Sequence, residues 1–392
     1  MALVIIGPSA GIVRAAVQGA EPLVLVGPKV GLLTASLRPQ IDELFTCDYT
    51  DEAALFGLAD IWMKAGDTIR GVVSVTEEGL LPAARLAVYL GVPGLGTVGV
   101  RATRDKLEMR SVLGAATPRL TVRAVPAHES DRVLQLLAEA GTAVLKPVDG
   151  TASADVHLLT SPADYRAATQ DLRRFIVEEY VTGVEVSVES MSSGGDHDIV
   201  AIAEKRTSDT FVEVAHLMPP VSLSDDQLES VRRAVREALT ALRITDGPAH
   251  TELMVGADRV TIIESHTRPG GDGIADLVRA TVGIDWRLAC TTWPLGRPLP
   301  EPEPTAPAAA IVFFTAPPGV VRATRSEPPV LPGVGIEGWF VDVAEGDVVG
   351  PLRSSKDRLG AVRLTAESTE TCAAAVDALL GLDVVVTDEG QP

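Results

Sequence analysis

At 392 residues the chain is too long for one ordinary core and suggests two or three domains, and a hydrophobic fraction of 46% with 22% charged residues is that of a globular protein. Lys and Arg number 34 against 53 Asp and Glu, a formal net charge of −19. With no basic run to concentrate the few cations, that balance argues against a nucleic acid or an anionic membrane as partner.

The chain opens on MALVIIGPSAG, which lacks the basic region and long apolar stretch of a signal peptide. No later apolar run approaches membrane-spanning length, so a cytoplasmic protein is expected. Short apolar runs at 2–7, 22–27 and 71–75, separated by helical or irregular stretches, predict a parallel α/β layer in the first domain, taken as 1–100. Gly7-Pro8-Ser9-Ala10-Gly11 is not GxGxxG and reads as tight strand-to-helix packing, not a dinucleotide site. Thr76-Glu77-Glu78-Gly79 opens a helix at the carboxyl end of the third strand, and its two glutamates read as helix-start residues favoured by the backbone dipole. The Gly/Pro-rich run 91–99 closes the domain.

A second region begins at Arg101–Lys106 with a helix expected through Val112. A strand at 143–145 then runs into Lys146-Pro147 and the small-residue loop 149–155. A lysine ending a strand before such a loop suits phosphate, with the ammonium as point charge and loop amides as a cradle. It is not a Walker A motif, and an ordinary surface loop would look the same. In FIVEEYVTGVEVSVESM, residues 175–191, Val184, Val186 and Val188 alternate with Glu185, Ser187 and Glu189, which predicts a half-buried strand. Glu178 and Glu185 bracket a turn at Gly183, where a nucleotide base could meet hinge backbone and its ribose a carboxylate. Glu204-Lys205-Arg206 reads as a polar loop, and FVEVAHLMPP as a substrate loop carrying Glu213 and His216. Ser224 and Gln227 form a capping box for a helix whose stripe of Leu228, Val231, Val235, Leu239 and Leu242 belongs to the core.

Residues 250–276 carry the most chemistry. Two apolar runs flank Gly256–Arg259, and a three-residue loop at 257–259 would set Glu252 opposite Glu264. Two carboxylates so placed need a cation between them, and oxygen donors suit Mg²⁺. Arg268 adds a rigid fork of donors for the same phosphates. On the hairpin alone, solvated carboxylates on an outer face are an equal reading. Gly270–Gly273 leads into a helix through Ala280, residues 294–308 read as a proline-rich linker, and the remainder is mixed α/β with a strand at 382–387 and a disordered end at 388–392. Cys47, Cys290 and Cys372 are far apart and lack ligand spacing, so isolated thiols are expected.

Taken in order and spacing, Lys106, Lys146 with its loop, the EE…GxE strand at 178–185 and the Glu252/Glu264 pair with Arg268 resemble the ATP-grasp superfamily. FVEVAHLMPP and IIESHTRPGGDGI are similar to its L-amino acid ligase, or dipeptide synthetase, branch. The resemblance implies an ATP-grasp α/β fold: an N-terminal Rossmann-like domain at 1–100, an ATP-grasp domain at 101–295 with a lid at 114–183, and a C-terminal α/β extension at 296–392. It implies ATP with Mg²⁺, small amino-acid or other carboxylate and amine substrates, and amide formation through an acyl phosphate in natural-product biosynthesis. By position, Lys106 and Lys146 would hold phosphates, Gly150, Thr151, Ala152 and Ser153 the lid, Glu178, Glu179 and Val181 the adenine hinge, and Glu185 the ribose. Glu252 and Glu264 would hold the metal, Arg268 the transferred phosphoryl, and Glu213, His216 and Gly271 the amino acid. One departure is His266, which stands where the family has asparagine as a further metal ligand; imidazole suits softer metals, which brings in Mn²⁺. An ATP-grasp ligase or carboxylase for a non-amino-acid carboxylate, a phosphotransferase and a catalytically silent nucleotide-binding partner are the competing readings, and a homodimer is the default assembly.

Overall fold

The computed structural model describes residues 2–19, 21–29, 37, 39, 41–150, 153–168 and 172–389. Near the N-terminus the apolar runs form β1 (Ala2–Ile6), β2 (Leu23–Val26) and, after a short edge strand β3 (Glu43–Phe45), β4 (Ile69–Ser74). They make a parallel sheet in the order β3-β2-β1-β4. Its strands are continuous apolar runs because both faces are covered: Leu3 and Ile5 pack into one cluster, Val4 and Ile6 into another. Gly7, at φ +61°, leaves no room for a side chain, since a Cβ there would lie 2.7 Å from Thr76 Oγ1. The ends of β1 and β4 therefore close tightly, setting the start of the helix Glu77–Leu90 at their carboxyl edge.

Four short strands, β5 (Ala124–Pro126), β6 (Ala143–Pro147), β7 (His157–Leu159) and β8 (Phe175–Glu179), form an antiparallel sheet in the order β5-β8-β6-β7. The helix Ser130–Ala140 covers it with Val133, Leu136 and Leu137.

The largest sheet takes β9 (Val184–Ser193), β10 (Asp196–Thr207), β11 (Glu213–Met218), β12 (Gly247–Val255), β13 (Val260–His266) and β14 (Ala308–Phe313). Beyond it come β15 (Gly319–Thr324), β16 (Val334–Val341), β17 (Val348–Val349), β18 (Gly360–Ala366) and β19 (Val385–Glu389). The eight-stranded order is β13-β12-β9-β10-β11-β14-β18-β16, and β17-β15-β19 form a small sheet. The helix Asp225–Ala241 covers one face of the large sheet, Val231, Val235 and Leu239 meeting Val186, Val188, Leu253 and Ile262. Its capping box is formed, with Ser224 Oγ accepting from the Gln227 amide.

Several expectations are corrected here. Glu204-Lys205-Arg206 lies inside β10, and the FVEVAHLMPP segment supplies β11; neither is a loop. The strand expected to be half-buried, β9, buries Ser187 and Glu189 as well as Val186 and Val188, because its polar face lines a site instead of solvent. The β12–β13 connection has four residues, not three, with Gly256 N donating to Arg259 O at 2.9 Å, and a bulge beside Leu253 then restores the pairing of Glu252 with Glu264. The proline-rich stretch is anchored at its start, where a Cβ on Gly71 would lie 2.6 Å from Pro294 Cβ. At the far end Asp388 and Glu389 belong to β19, and residues 390–392 lie outside the described ones. Among the described residues no helix is long and apolar enough to cross a membrane, and all three cysteines are free.

Candidate active site

Residues of the large sheet and of the β5–β8 sheet line one cavity of about 580 Å³. Its walls bring together Lys106, Lys146, Gly150, Ser153, Glu178, Glu179, Val181, Glu185, Glu213, His216, Glu252, Glu264, His266, Arg268 and Gly271. Thr151 and Ala152 lie outside the described residues.

On the floor, Glu252 and Glu264 are direct neighbours on β12 and β13. Lys205 Nζ lies 3.2 Å from Glu252, and Lys106 Nζ 2.7 Å from Glu264. His250 Nε2 sits 3.2 Å from Glu252, and His266 Nε2 3.1 Å from Glu264. Burial works to raise both carboxyls, but Lys205 and His250 on one side, and Lys106 and His266 on the other, outweigh it and hold both well below the ordinary carboxylate range. Both stay ionised.

The lysines are held in turn. Asp105 breaks the expected helix and caps a new one, Lys106–Ala116, by accepting from the Leu107 and Glu108 amides, so Lys106 stands at its first position. Its ammonium also donates to Gly150 O at 2.8 Å, tying the small-residue loop to the floor. Lys146 Nζ is 2.7 Å from Glu178 Oε2. Glu178, expected at the adenine hinge, instead turns its carboxylate inward, where Arg110 grips it through Nε at 2.7 Å and Nη2 at 3.0 Å. Arg110 is itself fixed by the carbonyls of Ile262 and Ile263. Burial raises the Glu178 carboxyl, but Arg110 and Lys146 prevail and bring it down to about 2, while burial draws Lys146 below the usual lysine range against the pull of Glu178. Glu179 and Val181 remain at the cavity wall, with Glu179 3.4 Å from Arg123.

Arg268 and His266 share a partner that sequence reading treated as a helix-start residue. Glu77 Oε1 accepts from Arg268 Nε at 2.5 Å and lies 2.8 Å from His266 Nδ1. Burial raises the Glu77 carboxyl, but His266 and Arg268 lower it to about 2. Its signal was its place at the carboxyl edge of a parallel sheet, where ligands gather. Since both ring nitrogens of His266 face carboxylates, the imidazole bridges Glu77 and Glu264 and presents no open ligand position.

Lys205, expected in a polar loop, also lines the cavity. Nine-tenths or more buried, its ammonium lies 2.8 Å from Glu185, 3.2 Å from Glu252 and 3.3 Å from Glu213. On the same floor, buried Glu189 orients His250, accepting at 2.5 Å from Nδ1, while Trp286 Nε1 and Gly270 N also donate to it. Glu213 also accepts from Ser355 Oγ at 3.0 Å and Ser153 Oγ at 3.5 Å. Asp272 is gripped by both Nη atoms of Arg358 at 3.0 and 2.6 Å, and Arg358 lies 3.7 Å over the Phe313 ring. His216 is buried, 3.7 Å from Asp272, too long for a hydrogen bond. Nothing in the sequence marks Lys205, Ser355 or Arg358, because their roles arise only from strand register and from a segment distant in the chain.

Among the described residues no group of three or more His, Cys, Asp and Glu side chains is placed to cage a metal ion. A facing carboxylate pair is nonetheless the donor set that suits Mg²⁺ completed by phosphate oxygens. The donor chemistry fits a metal held jointly with a nucleotide.

The architecture is the ATP-grasp fold. Residues 165–276 match the ATP-grasp domain family, and the chain superposes over 99% of both lengths on the L-amino acid ligase from Bacillus licheniformis, with a TM-score of 0.76 at 20% identity. It is also similar, at a TM-score of 0.73, 14% identity and 97% of each chain, to an ATP complex of carboxyaminoimidazole ribonucleotide synthase from Aspergillus clavatus. More particularly, residues 312–387 match L-amino acid ligase C-terminal domain 2. The chain is 25% identical over 248 residues to the alanine–anticapsin ligases of Bacillus amyloliquefaciens and Bacillus subtilis, a match over 55% of this chain. It spans about half, 52%, of the length of those curated relatives.

Proposed function

We propose that the chain is an ATP-dependent carboxylate–amine ligase that joins an amino acid, or a related carboxylate, to an amine with release of ADP and phosphate. The observation that carries this reading is the convergence, in one cavity, of two ionised carboxylates on adjacent strands with Lys106, Lys146 and Arg268. ATP, when bound, supplies the phosphoryl group that activates the carboxylate as an acyl phosphate, and Mg²⁺ or Mn²⁺ supplies charge beside it. Glu252 and Glu264 would hold the ion.

The protein's own part is positioning and electrostatics. Lys146 is fixed by Glu178 and Arg110, Lys106 by Gly150 and Glu264, and Arg268 by Glu77, so three cations reach the cavity already oriented toward phosphoryl oxygens. Glu185, in the same cavity, would meet the ribose. Glu213 and His216 would meet the amino acid, His216 offering an imidazole that lacks a hydrogen-bond partner. Gly150 and Ser153, both at the cavity wall, would help exclude water from the activated acyl group. The alanine–anticapsin ligase likeness supports an amino acid as one substrate.

The test is ADP and phosphate release by the purified protein with ATP and Mg²⁺ or Mn²⁺, across amino acids singly and in pairs, with mass spectrometry of the products. Pair-dependent release with a condensed mass, abolished by Lys146→Ala and by Glu264→Ala, is expected. Release that no amino acid stimulates would move the reading to another carboxylate.

A further inference from the structure

Lys205 has no role in the reaction as set out above, yet it is the most heavily engaged cation on the cavity floor. Its side chain is 2% exposed, and its ammonium touches three carboxylates on three different strands: Glu185 of β9, Glu213 of β11 and Glu252 of β12. One of the three, Glu252, belongs to the pair assigned above to the metal. The other member, Glu264, is matched by Lys106 at 2.7 Å. Each metal carboxylate thus already carries a lysine ammonium. On Glu252 the other oxygen, Oε1, faces His250 Nε2 at 3.2 Å, whereas on Glu264 the oxygen that meets Lys106, Oε1, also faces His266 Nε2 at 3.1 Å.

We infer that Lys205 is an internal counter-ion for Glu252 that keeps divalent cations off the carboxylate pair until a nucleotide is bound. The inference rests on the assignment of Glu252 and Glu264 as metal ligands under the proposed function. A divalent ion entering alone would have to be placed beside two ammonium groups in a buried site, where like charges interact strongly. Phosphates change that balance. Their negative charge gives both lysines a second partner and gives the ion further oxygen ligands, so ion and nucleotide enter as a unit. In the same arrangement Lys205 holds Glu185, assigned to the ribose, and Glu213, assigned to the amino acid, at fixed separation. It is a positioning residue whose removal affects the metal in a direction that loss of structure does not.

The experiment titrates Mn²⁺ by electron paramagnetic resonance, with and without a non-hydrolysable ATP analogue, for the wild type, Lys205→Gln, Lys205→Arg and Glu252→Gln. Lys205→Gln keeps an N–H donor near the carboxylates while removing the charge. It is expected to bind Mn²⁺ without nucleotide about tenfold or more tighter than the wild type, the scale of one unit charge near a buried site. Lys205→Arg should restore wild-type weakness, and the analogue should narrow the gap between the variants. A cation with only a structural role predicts the opposite, weaker Mn²⁺ binding in Lys205→Gln. Unchanged or weaker nucleotide-free binding in Lys205→Gln overturns the inference and leaves the ligase reading standing. Glu252→Gln separates the two failures: if it leaves Mn²⁺ binding intact, the carboxylate pair is not the metal site, and both the metal assignment and this inference fall. If Lys205→Gln does not fold, Lys205→Arg carries the test, because an arginine that admits Mn²⁺ without nucleotide more readily than lysine contradicts the counter-ion role.

Discussion

At the scale of single residues the site is a set of ion pairs, most of them between groups distant in the chain. Glu178 is the clearest case, since it fixes Lys146 on β6 and Arg110 on the helix Lys106–Ala116 at once. Its carboxyl is brought down to about 2 from a usual 4.5. A depressed carboxyl contributes stability that is fully present above the unfolded value and is lost as pH falls through the folded one. The stabilisation from this trio should therefore hold above pH 4.5 and fade toward about pH 2. Glu178→Gln is expected to lower thermal stability near neutrality and to flatten its decline over that window, read from melting curves at a series of pH values. Parallel wild-type and variant curves would mean that the ion pairs do not carry acid sensitivity. Sequence alone suggested the residue but not this role. EE before a turn resembles a hinge, and only folding brings Arg110, 68 positions away, against it.

Among the elements, legibility followed the chemistry of the exposed face. The helix Asp225–Ala241 could be read in advance because one face meets solvent and the other the core, so its apolar stripe and its Ser224–Gln227 capping box survive in the sequence. Strands β10 and β11 could not, because the face they turn from the core carries Lys205 and His216 into a buried site, and charged residues then mimic loops. The Glu252/Glu264 hairpin was legible for a narrower reason. A miscounted loop and an unseen bulge offset each other, and the facing register that matters for a metal emerged unchanged. The helix supplies a stability test free of the site. Leu239 is fully buried, so Leu239→Ala should cost about 2–5 kcal/mol, and Ser224→Ala, which removes the cap, about 1 kcal/mol. Urea denaturation with unchanged m-values measures both, and a Leu239→Ala loss below that of Ser224→Ala would contradict the packing described for this face.

For the whole molecule, the central question is whether the last hundred or so residues are an appendage or part of the catalytic body. The sequence placed a linker at 294–308, but the large sheet crosses it: Ala215–Met218 of β11 pair with Ala309–Val312 of β14, and β18 and β16 continue the same ladder. From this C-terminal part Ser355 reaches Glu213, and Arg358 reaches Asp272. From the opposite end of the chain Glu77 reaches His266 and Arg268. The cavity is thus built from three stretches that no local motif connects. Ending the chain at residue 295 would strip β11 of its β14 neighbour, exposing a paired strand as a bare edge, and would remove the Ser355 and Arg358 contacts to Glu213 and Asp272. Such a protein is expected to aggregate, or to lack a single cooperative melting transition, and to bind an ATP analogue more weakly than the full chain. A monomeric 1–295 fragment that melts cooperatively and binds the analogue as the full chain does would show that the C-terminal strands lean on the ATP-grasp sheet without completing it, and their contribution would then be confined to the substrate end.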